Sequence, residues 1–368
     1  MKLTITREAL LTPLQAIAGV VERKQTMPVL SNVLFVAEPD SLTLTGTNME
    51  VELVAHVNEG LAVESPGRIT IPARKLSDIC RSLGEGTQVE LALQGDQVHV
   101  RSGASHFTLS TLPAEHFPNV EEDAESFRLE LAQADLRNLL EATSFAMAQQ
   151  DVRYYLNGLM LEVGSNYLRA VATDGHRLAM STLAVVTGSE EVRQLILPRK
   201  GTLELIRLLA DADTSVMLVF GDNHLRATLG AYTFTSKLIE GKFPDYNRVI
   251  PRGGDKTFIA DRQSLKATLQ RAGILSHENI RGVRLQLQTN ELGVFANNPD
   301  QEQAEDSLPV DYVGESLQIG FNVGYLIDVL NALEGNNVRM TLSNANSSGL
   351  IEDVDNGNSV YVVMPMRL

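Results

Sequence analysis

The pattern of hydrophobic and polar positions repeats three times along the chain. Each repeat opens with a short alternating strand and an amphipathic helix, at Leu3–Val20, Leu129–Phe145 and Phe258–Leu275. Each contains a second strand and helix, at Ile69–Leu83, Leu195–Leu209 and Leu317–Leu333. The corresponding positions Pro72, Pro198 and Asn322 lie 126 and 124 residues apart. This period is too long for a stacked solenoid repeat and predicts three whole domains.

Most of the remaining pattern is typical of strands. Leu42–Val54 alternates as one half-buried strand does, and Leu168–Met180 predicts a hairpin that turns at Asp174-Gly175. Val89–Leu93 and Val98–Val100 predict another hairpin, across Gly95-Asp96. A helix is expected over Gln133–Gln149. The apolar C-terminal segment, Val360–Leu368, is either a packed edge strand or part of an apolar binding surface.

These elements predict an α+β protein built from three repeated domains, each with two helices packed on antiparallel sheets. The acidic segment Glu121–Glu125 and the segment Pro244–Lys256, which is rich in proline, glycine and charge, lie at the expected boundaries. We therefore expect domains at residues 1–126, 127–252 and 253–368.

Composition narrows the class of protein. The chain has 368 residues, 43% of them hydrophobic, which suffices for several ordinary cores. The single cysteine, Cys80, excludes an intramolecular disulfide and is expected to be buried on a helix. The N-terminal sequence lacks the apolar run of a signal peptide, and no segment has the length and hydrophobicity of a membrane span. We expect a cytoplasmic protein that does not contact membranes.

The charge distribution is uneven. The net charge of −15 argues against a nucleic-acid-binding protein. The predicted helices nevertheless hold 13 basic and 9 acidic residues, so the rest of the chain carries −19; the helices are counted over residues 7–24, 74–83, 133–150, 198–209, 261–276 and 322–334. If the helices shared one side of the molecule, that side would be mildly positive. The alternative is that these charges are ordinary solvated helix faces.

Enzyme motifs are missing from the sequence. It has no phosphate-binding glycine loop, no nucleophile elbow and no pair of histidines at metal-ligand spacing, so neither a cofactor nor a metal is expected. A non-catalytic binding or scaffolding protein is the main interpretation. The alternative is a monomeric three-domain hydrolase or ligand-binding protein whose site is the cluster of Asp174, His176 and Arg177.

Three motifs identify a family resemblance. TDGHRL at Thr173–Leu178, FPDYNRV at Phe243–Val249 and the terminal MPMRL occur together with the threefold repeat. In this combination the chain closely resembles the bacterial β sliding clamps, the processivity subunits of replicative DNA polymerases. DVRYYLNG, PRKG, FTSKL and ANNP also match in order, so the resemblance runs from end to end.

The resemblance implies a head-to-tail homodimer in which six domains close a ring around duplex DNA, with two helices per domain lining the hole. It implies no catalysis and no cofactor. The implied partners are the polymerase α subunit, the clamp loader δ subunit, other DNA polymerases and repair proteins, which bind through short linear peptides.

The resemblance also implies site residues. The implied peptide pocket, between the second and third domains, consists of Leu156, Thr173, Gly175, His176, Arg177, Leu178, Pro244, Arg248, Val249, Asn322, Tyr325, Ser348, Val362, Met364, Pro365, Met366, Arg367 and Leu368. The implied DNA contacts are Lys24, Arg74, Gln150, Tyr154, Tyr155, Arg199 and Lys200. The implied subunit interface has Phe107, Leu109, Ile274 and Leu275 at its apolar centre, with Lys75 facing Glu302 and Glu305.

Overall fold

The computed structural model describes residues 1–22, 27–118, 127–210 and 212–367. These residues form two compact units. The first contains Met1–Ala134 and Leu203–Leu238, and the second contains Asp135–Thr202 and Ile239–Leu368. Each unit therefore contains one of the two junctions between successive sequence repeats.

All six predicted helices are present. Their bounds are α1 (Arg7–Val20), α2 (Ala73–Ser82), α3 (Gln133–Ser144), α4 (Arg199–Leu208), α5 (Arg262–Gly273) and α6 (Val323–Ala332). Side-chain caps fix three of the starts, because Thr6, Asp261 and Asn322 each accept a hydrogen bond from a backbone N–H in the first turn.

The helix expected over Gln133–Gln149 is shorter than predicted, since α3 ends at Ser144. The Thr143 hydroxyl donates back to the carbonyl of Leu139, and the N–H of Ala146 bonds three residues back to Thr143. These tighter bonds replace the helical pattern, and the next residues turn inward and are buried.

Strands make up most of the remaining structure. The first thirteen are β1 (Lys2–Thr6), β2 (Asn32–Glu38), β3 (Ser41–Thr47), β4 (Val51–Val57), β5 (Leu61–Ser65), β6 (Gly67–Pro72), β7 (Gln88–Gln94), β8 (Gln97–Ser102), β9 (Ser105–Ser110), β10 (Phe127–Ala132), β11 (Gly158–Gly164), β12 (Tyr167–Thr173) and β13 (Arg177–Ala184). The others are β14 (Arg193–Pro198), β15 (Ser215–Phe220), β16 (His224–Leu229), β17 (Tyr232–Lys237), β18 (Lys256–Asp261), β19 (Gly282–Gln288), β20 (Glu291–Asn297), β21 (Gln303–Pro309), β22 (Leu317–Asn322), β23 (Asn337–Leu342), β24 (Gly349–Asp353) and β25 (Ser359–Val363).

The first unit contains two antiparallel sheets. One has five strands in the order β5-β1-β7-β8-β9, and the other has eight in the order β10-β15-β16-β17-β4-β3-β2-β6. The eight-stranded sheet crosses from the first repeat into the second where β4 pairs with β17, with Ala55 opposite Tyr232 and Val51 opposite Ser236. The first two repeats are therefore joined by backbone hydrogen bonds.

The second unit repeats this arrangement. Its eight-stranded sheet has the order β14-β11-β12-β13-β25-β24-β23-β18, and its four-stranded sheet has the order β21-β20-β19-β22. Here β13 of the second repeat pairs with β25 of the third, with Arg177 opposite Val363 and Ser181 opposite Ser359. The predicted hairpin of β12 and β13 is confirmed, and Gly175 in its turn has a φ of +88°.

The prediction of one strand over Leu42–Val54 is wrong. The segment is divided between β3 and β4, and the side chain of Asn48 in the turn between them accepts hydrogen bonds from the N–H groups of Glu50 and Val51. Met49 has a φ of 77°. An asparagine that caps its own turn has the same polarity as an outward-facing strand residue, so alternation alone did not reveal the break.

Of the two alternatives for the C-terminal segment, the packed edge strand is wrong. β25 lies inside its sheet, between β13 and β24, and Tyr361, Val362 and Val363 are fully buried. The apolar character of this segment therefore comes from pairing on both sides. The expected burial of Cys80 is confirmed, and burial raises the pKa of its thiol to about 11.

Candidate functional site

The turn between β12 and β13 is held by its own side chains. The Oδ1 atom of Asp174 accepts the N–H groups of His176 at 2.9 Å and Arg177 at 3.0 Å. The hydroxyl of Thr173 donates to the Arg177 carbonyl at 2.6 Å and accepts from the N–H of Gly175. The local sequence TDGHR therefore specifies a well-defined turn that presents the His176 side chain to solvent.

The Arg177 guanidinium joins three parts of the second unit. Its Nε donates to Asp174 at 3.0 Å, and its other nitrogens donate to the carboxylate of Asp328 on α6 and to the carbonyl of Phe145 after α3. The guanidinium carbon lies 4.5 Å from the centroid of the Tyr325 ring. The side chain is only 12% exposed, and its partners Asp328 and Phe145 were not predicted from sequence.

The residues after β25 lie against this turn. The N–H of Met364 donates to the carbonyl of His176 at 2.9 Å, and the Ser348 hydroxyl donates to the Met364 sulfur at 3.0 Å. The N–H of Met366 donates to the carbonyl of Gly320 at 2.8 Å, just before α6. Met364, Pro365 and Met366 are all partly exposed, so the segment offers apolar atoms to solvent.

A hydrophobic cluster lies beneath this surface. Leu156, Leu178 and Val362 are almost fully buried in it, while Val249 and Tyr155 are partly exposed and pack against it. Phe243 and Tyr246 of the FPDY motif also belong to the cluster, although they were not among the predicted pocket residues. Most of the implied pocket therefore converges on one partly apolar surface.

A buried polar network supports Tyr246. The carboxylate of Glu162, which is 5% exposed, accepts hydrogen bonds from Tyr246 at 3.0 Å, Tyr167 at 2.9 Å, Arg169 at 3.1 Å and Gln194 at 2.7 Å. Burial raises the pKa of the Tyr246 phenol. Full use of the carboxylate fixes the tyrosine ring within the hydrophobic cluster.

The remaining predicted pocket residues differ in exposure. Arg248 has an 86% exposed side chain and forms an ion pair with Asp245, so its guanidinium is accessible. Asn322 is occupied as the N-cap of α6. Pro244, Gly175 and Arg367 are exposed, and Leu368 lies outside the described residues.

Four of the implied DNA contacts lie near one another around Asn157. The side chain of Asn157 binds both backbone groups of Asp151, which follows the exposed Gln150. Its carbonyl accepts the N–H of Arg199 at 2.9 Å. Tyr154 is 57% exposed and packs edge-on against Tyr155.

Arg199 and Lys200 start α4 and are partly exposed. Burial lowers the pKa of Arg199, and the nearby positive charge of Arg177 lowers it further. One terminal nitrogen of the Arg199 guanidinium is buried with no hydrogen-bond partner among the described residues. Arg74 lies exposed on α2. Lys24 falls outside the described residues.

The implied interface residues lie on terminal strands and exposed ends. Phe107 and Leu109 are on β9, the last strand of the five-stranded sheet, and Glu305 is on β21, the last strand of the four-stranded sheet. Ile274 is 76% exposed after α5, and Leu275 is partly buried. Lys75 and Glu302 are exposed on the surface.

The cluster of Asp174, His176 and Arg177 does not form a catalytic arrangement. Asp174 is occupied by the turn and by Arg177, while the His176 ring stacks on Tyr325 at 6.5 Å between centroids. The described residues include no group of three side chains suited to holding a metal ion. None of the described helices is long and apolar enough to cross a membrane.

Comparison with known proteins gives the family. Models of the N-terminal, central and C-terminal domains of the DNA polymerase III beta subunit match residues 1–121, 130–245 and 247–367. The beta sliding clamp of Pseudomonas putida is 56% identical over 368 residues, with both chains covered completely. A crystal structure of the DNA polymerase III subunit beta from Pseudomonas aeruginosa is 56% identical, with complete coverage of both chains and a TM-score of 0.97. A Pseudomonas aeruginosa sliding clamp bound to griselimycin is 56% identical, again with complete coverage, and has a TM-score of 0.95.

Three repeated domains of helices on antiparallel sheets, without a catalytic arrangement at the site described, define a clamp. The chain belongs to the family of DNA polymerase III beta subunits, the bacterial beta sliding clamps. Its function is that of a processivity factor in DNA replication, and it is not itself catalytic. The comparisons do not support the alternative of a monomeric hydrolase or ligand-binding protein.

Proposed function

We propose that two copies of this chain close head to tail into a ring around duplex DNA, and that the surface formed by Thr173–Leu178, Val249, Tyr325 and Met364–Met366 receives partner peptides. We call this surface the docking surface. The proposal rests on the strand pairing that joins each repeat to the next within one sheet.

The strands at the two internal junctions occupy equivalent places in the repeat. β4, β13 and β21 begin 126 residues apart, and β9, β17 and β25 begin 127 residues apart. Within the chain, β4 pairs with β17 and β13 pairs with β25. The remaining members of the two series, β21 and β9, are terminal strands of their sheets. Pairing β21 of one copy with β9 of another makes a third junction of the same kind.

The two internal junctions support one register for this pairing. Each internal pair can be transferred to β21 and β9 by replacing every residue with the one at the equivalent position of those strands. Both pairs then give the same register, with Gln303 opposite Leu109, Glu305 opposite Phe107 and Ser307 opposite Ser105. This register brings Glu305 of one copy opposite Phe107 of the other and next to Leu109, which are three of the interface residues implied by the family resemblance. Each copy contributes both strands, so two copies form two such junctions, which is the requirement for a closed head-to-tail dimer.

The docking surface suits short apolar peptides. Partly exposed methionine side chains adapt to different partners, and the well-ordered turn and Tyr325 give them a rigid support. Arg248 is accessible to polar groups of a peptide. The griselimycin complex of the similar Pseudomonas aeruginosa clamp supports a binding pocket in this family. We infer that the polymerase α subunit, the clamp loader δ subunit, other DNA polymerases and repair proteins dock here.

The DNA contacts that we propose are Lys24, Arg74, Gln150, Tyr154, Tyr155, Arg199 and Lys200. A ring stays on DNA because it is closed, so weak contact with phosphates is enough and permits sliding. The net charge of −15 is compatible with this mode of binding, since affinity for DNA is not what retains the protein.

The proposal also includes the domain boundaries and the cellular location of the protein. The matched family ranges support domain boundaries near 1–126, 127–252 and 253–368. Because a replication clamp acts on the chromosome, which in bacteria lies in the cytoplasm, we infer that the protein is cytoplasmic.

The test combines mass and DNA topology. Sedimentation should give twice the chain mass of 40.2 kDa. After loading by a clamp loader, the protein should stay on nicked circular DNA through gel filtration at high salt and should leave after the circle is cut by a restriction enzyme. A monomer, or equal retention on circular and linear DNA, would contradict the ring.

A further inference from the structure

The second helix of each repeat carries an acidic residue at its sixth position. These residues are Asp78 on α2, Glu204 on α4 and Asp328 on α6. Asp78 and Glu204 each form an ion pair with the arginine three residues later in the same helix, at 3.0 and 2.8 Å. In α2 and α4 the acid therefore binds a local partner on the surface of its own helix.

For Asp328 the local partner is replaced by a distant one. Asn331 stands at the position that Arg81 and Arg207 occupy in the other two helices. The Asp328 carboxylate instead accepts a hydrogen bond from Nη1 of Arg177 on β13, which lies 151 positions away in the chain. The acid thus joins α6 to a strand of the preceding repeat.

The Arg177 guanidinium lies between the second repeat and α6. Asp174 and the Phe145 carbonyl bind it from the second repeat, at 3.0 and 2.8 Å. On α6, Asp328 binds it one helical turn after Tyr325, whose ring centroid lies 4.5 Å from the guanidinium carbon. Residues three positions apart share one face of a helix, so the carboxylate holds the guanidinium over the ring.

Asp328 lies outside the docking surface and outside the residues implied by the family resemblance. Its side chain is 42% exposed, while that of Arg177 is 12% exposed. Without the Asp328 charge, the other two hydrogen bonds draw the guanidinium towards the second repeat and away from α6. The Tyr325 ring then loses a stacked cation, a contact that contributes more where it is shielded from water.

We propose that Asp328 is a positioning residue for peptide docking, because it keeps the Arg177 guanidinium on Tyr325 and so fixes the ring that supports bound peptides. This inference rests on the docking surface proposed above. Since Asp328 acts through Arg177 and not through the peptide, its loss should weaken the binding of different partner peptides to a similar extent.

The experiment measures the binding of a labelled short peptide, apolar at its C-terminal end, to full-length variants by fluorescence anisotropy. Asp328→Asn should weaken binding by about five- to tenfold, because a charged hydrogen bond to Arg177 becomes a weaker neutral one. Asp328→Glu keeps the carboxylate, as Glu204 does at the same position of α4, and should bind within about threefold of the wild type.

Glu334→Gln is the matched control for the change in net charge. Glu334 is exposed and lies two residues after the end of α6. This variant should bind the peptide like the wild type. An equal loss of affinity in Glu334→Gln and Asp328→Asn would overturn the proposal, because both effects would then come from the overall charge of the surface.

A further pair of variants tests whether Asp328 acts through Arg177. In Arg177→Met, which has no guanidinium to hold, adding Asp328→Asn should change the affinity by less than about twofold. The same fold-change in this background and in the wild type would overturn the proposal, as would wild-type affinity of Asp328→Asn or no recovery in Asp328→Glu. Failure of the wild type itself to bind the peptide would contradict the docking surface, and this inference with it.

Discussion

The guanidinium of Arg177 stacks on the ring of Tyr325, at 4.5 Å from its centroid, and so joins β13 of the second repeat to α6 of the third. The same guanidinium binds two carboxylates and one carbonyl. Its planar shape and five donors make this combination possible, and a lysine ammonium cannot reproduce it.

Arg177→Lys should therefore lower the free energy of unfolding by about 1–3 kcal/mol, because Asp174 and the Phe145 carbonyl lose donors. The measurement is urea unfolding followed by circular dichroism. Arg248→Lys is the control, since that side chain is 86% exposed and should change the value by less than about 0.5 kcal/mol. Equal effects of the two substitutions would show that the Arg177 contacts contribute little to stability.

Met364→Ala should weaken peptide binding at the docking surface. Truncation removes the partly exposed thioether next to the His176 turn, and loss of a contact of this size costs about tenfold in affinity. Fluorescence anisotropy with a labelled short peptide, apolar at its C-terminal end, measures the change. Met49→Ala, at a 40% exposed methionine in the β3–β4 turn, should leave the affinity unchanged. The same affinity in both variants would move the peptide site elsewhere.

The register proposed for β21 and β9 predicts a disulfide between two copies. Residues opposite each other in an antiparallel pair have Cβ atoms about 4.5–5.5 Å apart, close enough for a disulfide after small adjustment. A chain that carries both Ser105→Cys and Ser307→Cys should form a covalent dimer on oxidation, visible in a non-reducing gel. The native Cys80 is buried and should not react.

A mismatched pair is the control for this register. Ser105→Cys combined with Gln303→Cys separates the cysteines by four strand positions, or about 13 Å. This variant should remain monomeric in the non-reducing gel. Efficient crosslinking of the mismatched pair, with none of the matched pair, would disprove the proposed register.

Glu52 on β4 should make stability depend on pH. Burial raises the pKa of its carboxyl to about 7, and the charge of Arg226 offsets this only partly. Between about pH 4.5 and pH 7 the folded state therefore binds more protons than the unfolded state, so the free energy of unfolding falls as pH rises through this window. The decrease should be about 1–3 kcal/mol and complete above pH 7.

Glu52→Gln should remove this component, so the variant should lose less stability than the wild type between pH 5 and pH 8. Glu50→Gln, at an exposed glutamate of the same hairpin, should behave like the wild type. Chemical unfolding at several pH values gives the comparison. The same slope in wild type and Glu52→Gln would show that Glu52 is ionised in the folded protein at neutral pH.

The sequence predicts local structure well where one signal dominates. The six helices and the β12–β13 hairpin follow from periodicity and from turn residues such as Asp174-Gly175. The same reasoning missed the β3–β4 turn, where Asn48 imitates an outward-facing strand residue. For the C-terminal segment it offered an edge strand or a binding surface and missed the interior position of β25, because interior and edge strands can have similar apolar composition.

The contacts within the candidate site could not be predicted from sequence patterns. Arg177 contacts one partner three residues away, but Phe145 and Asp328 are 32 and 151 positions distant. Periodicity contains no information on contacts at such separations. The family resemblance supplied the predicted site residues, whereas the buried Glu162 network joins residues that no sequence motif connects.

The equivalence of the three strand pairs also bears on where the proposed ring opens. The strands of the β4–β17 and β13–β25 pairs belong to one chain, so their pairing does not depend on protein concentration. The β21–β9 pairs have no such connection, and their occupancy falls with protein concentration by mass action. With similar hydrogen bonds in all three, dilution should separate the protomers while both internal junctions remain closed, and the proposed ring should therefore admit DNA between its subunits.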